Sequence, residues 1–360
     1  MTFARDLASF ADNATQNVSF RNILVNGAMQ IAQRGTSFTG ITSGNNYATD
    51  RWKFQLNTQG TWTQSQETDA PTGSGFIKST KLLCTTADAS PASGDYLVFS
   101  QALEGQNLQQ LRKGTSSAQQ ITLSFWVKSN VTGTYITEIR DQDNTRQICK
   151  SYTISASGTW EYKTLTFSGD TTGALDNDSN LSLFPIWWLG AGSNFTSGTL
   201  ATSWAAGTDA NKAVGQTNVA AATNNYWQIT GVQMEIGPAP TPFEFRPYYI
   251  ELSQCQRYYT ELNLYVFLTQ SHTTTRTKGN LFLPTTMRAN PTATLDNANR
   301  ITYLGVLDYN GVYTGSIETS SKERVFVDYQ RSSGDTWTAN NPLVINPTGG
   351  NTFIKLSSEI

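Results

Sequence analysis

The sequence predicts an all-β protein, a sandwich of two packed antiparallel sheets with a smaller β domain after it, on three observations. About ten short apolar or alternating runs lie between clusters of Gly, Ser, Asn and Thr, with no long helical pattern among them, so neighbouring strands pair without βαβ crossovers. Composition agrees, because only 14% of residues are charged while aromatics reach 11%, with nine Trp and fifteen Tyr. Thr and aromatic side chains suit pleated surfaces, and Gly, Asn and Ser fill turns. The third observation is YWQITGVQMEIGPAPTPFEFRPY, 226–248, which reads as a closing strand followed by a rigid exit. Trp227, Ile229, Val232, Met234 and Ile236 are its apolar members, and Gly231 interrupts the alternation as a bulge or a close backbone approach would. Pro238, Pro240, Pro242 and Pro247 then supply stiff backbone without ladder donors, which ends the sheet. The resulting division is 1–19, 20–247 and 248–360.

Taken in order, residues 2–14 place Phe3, Leu7 and Phe10 on one face of a short amphipathic helix. A helix of that length needs a partner for its apolar stripe, either the adjoining domain or copies of itself. Ile23, Leu24 and Val25 within Phe20 to Gly35 predict a first short strand, and Tyr47 to Leu56 a second, with Trp52, Phe54 and Leu56 alternating. Further strands are expected at 60–66, 76–85, 95–102, 119–128, 133–140, 147–154, 160–167, 181–189 and 226–236. Leu103, Leu108 and Leu111 suggest one or two helical turns. Residues 190–225, poor in aliphatics, form a long excursion expected to contact a neighbouring subunit or stay exposed, with an ordinary surface loop as the alternative.

Beyond Pro247, 248–262 reads as a short connecting helix, and strand-like runs resume to Ile360. Asn310-Gly311, between Tyr303–Leu307 and Val312–Ile317, is a strong hairpin signal.

Several chemistries lack their parts. A net charge of −2 and no Lys/Arg run argue against nucleic acid. The one histidine, His272, has no GxSxG motif to serve and reads as a solvent-facing loop residue. Cys84, Cys149 and Cys255 are scattered, with no metal spacing, and read as buried thiols. Asp141–Asn144 and Asp176–Asn180 have closely spaced oxygens but lack the rest of a calcium loop, so turns are expected there. No metal, cofactor or membrane insertion is expected. The start of the chain does not read as a secretory signal, so synthesis and folding in a cytoplasm are expected.

NILVNGAMQIAQRG, then YATDRW, then YWQITGVQMEIGPAPTPFEFRPYYIELSQCQRYY resemble the pattern of a tailed-bacteriophage virion protein family seen in tail fibres and other host-contact proteins. ARDLASFADNA resembles the N-terminal segment of such fibres, and TTMRANPT at 285–292 resembles their distal part, with Thr286 where Pro is usual. The likeness covers about half the chain. It implies a jelly-roll sandwich similar to carbohydrate-binding modules, a variable distal domain, and Phe3, Leu7 and Phe10 as the virion-docking or trimer-forming face. It further implies a homotrimer in the virion, joined to other virion proteins through the N-terminus and facing host polysaccharide or lipopolysaccharide.

Binding is the chemistry best supplied, since Trp and Tyr faces stack on sugar rings while Asn, Asp and Arg bond hydroxyls. The distal candidates are Tyr303, Asp308, Tyr309, Asn310, Tyr313, Tyr329, Arg331 and Trp337; those of the sandwich are Trp187 and Trp188, of which strand alternation sends one into the core. The expectation is a non-enzymatic tail fibre that binds host glycans multivalently. A capsid decoration protein and a polysaccharide-degrading tail enzyme are the alternatives, the latter without a carboxylate pair that the sequence singles out.

Overall fold

The computed structural model describes residues 20–263, 267–273, 275–296, 301–303, 311–334, 342–345 and 353–360. The segment carrying Phe3, Leu7 and Phe10 therefore lies outside the described residues. By its contacts the chain divides into two compact units, one running to Pro247 and one spanning Tyr248–Glu359.

The first unit is a jelly-roll sandwich built of β1 (Ser37–Asn46), β2 (Lys53–Glu67), β3 (Ser79–Thr86), β4 (Tyr96–Ser100), β5 (Leu103–Glu104), β6 (Ile121–Ser129), β7 (Gly133–Asp141), β8 (Arg146–Ile154), β9 (Glu161–Phe167), β10 (Leu181–Ala191), β11 (Ala205–Ala206) and β12 (Tyr226–Ile236). Pairing follows the order β11-β8-β7-β10-β4-β2-β3-β12-β6-β9 and is antiparallel throughout. The long strand β2 turns the corner between layers. Its first part, Lys53 to Asn57, pairs with β4, and its second, Thr61 to Glu67, pairs with β3. One layer thus holds β8, β7, β10 and β4, the other β3, β12, β6 and β9.

The core follows from alternation. Ile121, Leu123, Phe125 and Val127 of β6 point inward, as do Leu183, Trp187 and Leu189 of β10. On β12 the inward set changes phase, from Trp227 and Ile229 to Val232 and Met234, because an extra residue enters the pairing with β6 between Thr230 and Gln233. Gly231 sits there at φ 61°, where a Cβ would lie 2.5 Å from the Phe76 ring, so the position requires glycine. Trp52, Phe99, Phe125, Trp187 and Trp227 are buried together, with Trp52 stacked on Phe99 at 5.2 Å and Trp187 edge-on to Trp52 at 5.8 Å. Burying one such indole removes on the order of 200 Å² from water, a gross gain of about 5 kcal/mol.

Four sequence expectations change in this unit. Residues 20–36 form no strand although Leu24, Met29 and Ile31 are buried. Their backbone bonds are taken by side chains instead: Asn22 Oδ1 accepts from Leu24 and Met234, and Asn26 Oδ1 accepts from Ile31. The strand at Ser37–Asn46 was not expected, and the two runs read at 47–56 and 60–66 are one bent strand, β2. Residues 190–225 are not a free excursion, since they fold back on their own sheet and bury Ala201, Ala213, Val219 and Ala220, while many of their other side chains stay exposed. The helical turns near Leu108 are two short 3-10 turns, with Leu108 and Leu111 buried, and the three cysteines are buried free thiols.

The chain's two ends of this unit meet. Glu244 accepts from the backbone N–H groups of Phe20 and Asn22, and Arg246 donates to the Asn22 and Leu24 carbonyls. The proline arm also folds onto β12, where Thr241 bonds both carboxylate oxygens of Glu235 at 2.8 and 2.6 Å.

The second unit opens with a helix at Tyr248–Gln256, which stops short of Leu262 because Tyr259–Asn263 is the strand β13. A three-stranded sheet follows the order β13-β21-β16, with β16 at Thr292–Asp296 and β21 at Phe353–Ser357. A six-stranded sheet follows β17-β20-β14-β15-β19-β18, comprising β14 (Phe267–Ser271), β15 (Arg276–Phe282), β17 (Ile301–Tyr303), β18 (Gly311–Ser320), β19 (Arg324–Gly334) and β20 (Pro342–Ile345). The hairpin expected around Asn310-Gly311 lies largely outside the described residues, which include only Tyr303 of its first strand. β18 pairs with β19 and β17 with β20, at opposite ends of that order.

Candidate functional site

The outer face of the β10 layer carries the site. Alternation that drives Trp187 into the core turns Ile186 and Trp188 to the outer side of the sheet, and the same rule places Tyr96, Val98 and Ser100 of β4, Gln55 of β2, and Ile136, Glu138 and Arg140 of β7 on that side. Val98, Ile136, Cys149, Ile186 and Trp188 would leave an apolar patch in water. Residues 192–213 cover it, adding Ala201 and Ala213, with Phe195 and Leu200 packed alongside. The cover is stitched down by backbone bonds from Cys149 to Ala201 at 2.6 Å, Gly207 to Thr145 at 2.7 Å and Gly192 to Asp95 at 2.8 Å. It begins at Gly192, where a Cβ would stand 1.9 Å from the Ala92 carbonyl oxygen.

Where the cover ends, a pocket of about 220 Å³ opens, walled by Tyr96, Phe184, Trp188 and Phe195 and edged by Gln55, Ser100, Arg140, Asp209 and Lys212. The walls brace each other: Trp188 and Phe195 lie 5.3 Å apart, and Tyr96 meets Phe195 edge-on at 5.8 Å. The polar groups are held in place before any ligand arrives. Buried Glu138 accepts from Trp188 Nε1 at 2.9 Å and from Arg140 Nε at 2.9 Å, and the Arg140 guanidinium lies 5.2 Å over the Phe184 ring. Gln55 Nε2 donates to the Tyr96 hydroxyl at 3.0 Å, and Lys212 Nζ bonds Asp209 Oδ1. That ammonium is the main reason the Asp209 carboxyl is held below the usual carboxylate range, against the opposing effect of burial. Burial, and next the Glu138 charge, push the Cys149 thiol up, so it is an inert member of the covered patch. A second depression of about 330 Å³ shares Arg140, Asp209 and Lys212 with the pocket and extends the groove toward Arg146 and Gln147.

The groove is anchored at its far end by a buried charge cluster. Lys113 Nζ is ringed by Asp141 Oδ2 at 2.5 Å, Asp170 Oδ2 at 3.1 Å and the Thr172 and Gly173 carbonyls at 2.9 and 2.8 Å, and Arg146 grips Asp170 at 2.7 and 3.1 Å. Asp141 also receives the Asn144 N–H at 3.1 Å, so the run at 141–144 is a turn, as its sequence suggests. Among the described residues no three His, Cys, Asp or Glu side chains gather as a metal site would need.

The sandwich candidates separate as alternation requires. Trp187 is core, and Trp188 forms the pocket floor. Of the distal candidates, Tyr303, Tyr313, Tyr329 and Arg331 stand on β17, β18 and β19, while Asp308, Tyr309, Asn310 and Trp337 lie outside the described residues. His272 is an exposed turn residue. The sequence reading missed Gln55, Tyr96, Glu138, Arg140, Phe184, Phe195 and Lys212. Strand parity marks the outward-facing ones, but only the pairing of β2, β4, β10 and β7 brings them together.

No protein-family model matches this chain, and no curated protein matches it. Solved structures that match include an enzymatically active domain of bacteriophage CBA120 tailspike protein 4, at 14% identity and TM-score 0.33, covering 61% of this chain and 22% of that one. Others are the family 11 carbohydrate-binding module of Clostridium thermocellum with a mixed-linked tetrasaccharide, at 10% identity and TM-score 0.29 over 57% of this chain and 99% of that module, and the CBM22-1 xylan-binding domain of Paenibacillus barcinonensis Xyn10C, at 8% and 0.26 over 58% and 100%. This chain thus spans less than a quarter of the tailspike structure it matches. At such scores the overlaps are partial, and the sandwich stands on its own strand pairing.

Proposed function

We propose that this chain is a non-enzymatic glycan-binding protein of a tailed-phage virion, with the groove on the β10 layer as its binding site. The observation that carries the reading is the pocket itself. A pyranose has an apolar C–H face and a rim of hydroxyls, and the pocket sets aromatic walls beside Arg140, Lys212, Asp209 and Gln55, groups that donate to and accept from hydroxyls. Each is already oriented by a protein partner, which lowers the ordering cost of binding.

Binding without turnover suits the carboxylates. A glycosidase needs an acid whose pKa is raised, and Asp209 is shifted the other way, while Glu138 is buried and engaged by Trp188 and Arg140. The resemblance in the N-terminal, sandwich-border and exit segments supports a place in the virion. Copies assembled as a trimer would turn weak single-site contacts into firm attachment.

The test is a glycan array probed with the full chain and with Arg140→Ala, followed by immunogold labelling of particles. Retention of glycans by the parent and a loss of about tenfold or more in the variant is expected. Equal binding by both would remove the pocket from the function. Gold over the capsid would replace the tail position with a decoration role, and release of reducing ends would make the protein an enzyme.

A further inference from the structure

The opposite outer face of the sandwich, on the β6–β9 layer, carries aromatic side chains that the groove does not use. The alternation that sends Phe125 and Val127 of β6 into the core turns Trp126 and Lys128 outward. Pairing then sets Trp126 against Tyr162 of β9 and Lys128 against Gln228 of β12. The Trp126 and Tyr162 rings lie 5.4 Å apart, and Tyr162 keeps 45% of its surface in solvent.

A third ring, Trp160, is fixed beside them. Its Nε1 donates to Asp69 Oδ1 at 3.2 Å, Lys128 Nζ bonds Asp69 Oδ2 at 2.7 Å and lies 5.8 Å from the Trp160 ring, and Gln228 Nε2 reaches the Asp69 carbonyl at 3.2 Å. Burial alone would raise the Asp69 carboxyl, but the Lys128 and Trp160 donors outweigh it and hold it below the usual range. An indole on a surface is ordinarily free to turn. This one is held by an ion pair and a hydrogen bond, so its orientation is built in.

The surroundings choose the ligand. A protein-docking patch presents contiguous apolar area, whereas here the rings are flanked at the surface by the exposed Thr164 of β9 and by the Lys128–Asp69 pair. Lys128, the charge beside the rings, is matched by Asp69, so the pair offers no net charge to select an anion. Rings edged by a hydroxyl and a matched ion pair complement a neutral sugar chain lying flat: its C–H faces on the rings, its hydroxyls on Thr164 and on the Lys128–Asp69 pair.

From this we infer that the β6–β9 face is a second glycan-binding surface, a platform for an extended neutral polysaccharide, built on Trp126, Tyr162 and Trp160 and separate from the groove. The two faces share a ligand class but no residues. One chain therefore offers two independent contacts to a polysaccharide-coated surface, and each raises the effective concentration of the other.

The experiment uses the full chain labelled with 5-fluorotryptophan, its ¹⁹F resonances assigned with Trp126→Phe, Trp160→Phe and Trp188→Phe. Cellohexaose, laminarihexaose and xylohexaose are titrated to about 10 mM, enough to approach saturation of a millimolar site. At least one should shift the Trp126 and Trp160 signals saturably, and the shifts should persist in Arg140→Ala. Tyr162→Ala, an exposed change that leaves the fold intact, should weaken them by about tenfold. A response confined to Trp188 overturns the platform and leaves the groove reading standing. A response confined to Trp126 and Trp160 upholds the platform and removes the groove. Silence at all three tryptophans with every hexasaccharide overturns the platform as a neutral-glycan surface.

Discussion

On the β10 layer Trp188 retains 2% of its surface because residues 192–213 fold back over it, whereas on the β6–β9 layer Tyr162 retains 45%. The same alternation produced both outward-facing rings. What differs is the connection that follows the strand carrying the ring: β10 is joined to β12 by a long segment that returns across its own sheet, while β6, which carries Trp126, reaches β7 through a short turn at 130–132. A covered face gains a walled pocket at the edge of its cover, and a bare face keeps a flat platform. Pocket and platform suit different parts of a glycan, one gripping a ring from several sides and the other supporting a length of chain.

The largest break in this comparison comes from the charge cluster under the covered face. Lys113→Met leaves Asp141 and Asp170 buried with their shared ammonium gone, and removing one partner of a buried ionic group costs about 3–5 kcal/mol. Chemical unfolding should register that loss, and the β7–β8 end of the groove should loosen while platform signals in the folded fraction stay unchanged. A loss under about 1 kcal/mol would mean the cluster is not what anchors the groove.

A smaller break removes the cover without touching the pocket's side chains. Gly192→Val puts a branched side chain against the Ala92 carbonyl and should cost about 1–3 kcal/mol through displaced backbone. Because Phe195 supplies one wall, glycan binding in the groove should fall more than tenfold, and the platform should bind as before. Equal losses on both faces would show that the two are not independent.

The layers of the sandwich were legible because they are written in alternation. Trp187-Trp188 had to divide between core and surface, and Gly231 had to mark a break in phase, and both hold. The strand at Ser37–Asn46 was not legible, since it is a largely exposed partner of β2 whose buried position is Ile41 alone, and its polar sequence carries no period. Leu24, Met29 and Ile31 misled in the opposite way, being buried in a segment whose backbone bonds to asparagine side chains. Of the groove, only Trp188 was named from sequence. Tyr96, Arg140 and Phe195 come from segments about 45 to 55 residues apart, and no local pattern links them before β4, β10 and β7 are paired.

The mildest test compares two aspartates, Asp170 beneath the covered face and Asp69 on the bare one. Both have carboxyl pKa values below the ordinary range, where burial would raise them but Arg146 and Lys113 in one case, and Lys128 and Trp160 in the other, more than compensate. A depressed carboxyl contributes stability that is complete above its unfolded value, near 3.9, and is lost as pH falls through the folded value. Urea midpoints should therefore hold from pH 7 to about 5 and fall below about 4. Asp170→Asn should flatten most of that acid limb. Asp69→Asn should change stability by less than about 1 kcal/mol, because its side chain is about half exposed and solvent screens the pair. Its larger effect belongs to the platform, where Trp160 loses the acceptor that fixes its ring and its ¹⁹F signal should broaden or move without any sugar present. If that signal stays put, packing and not the ion pair holds the indole, and the bare face owes its order to β6 and β9 alone.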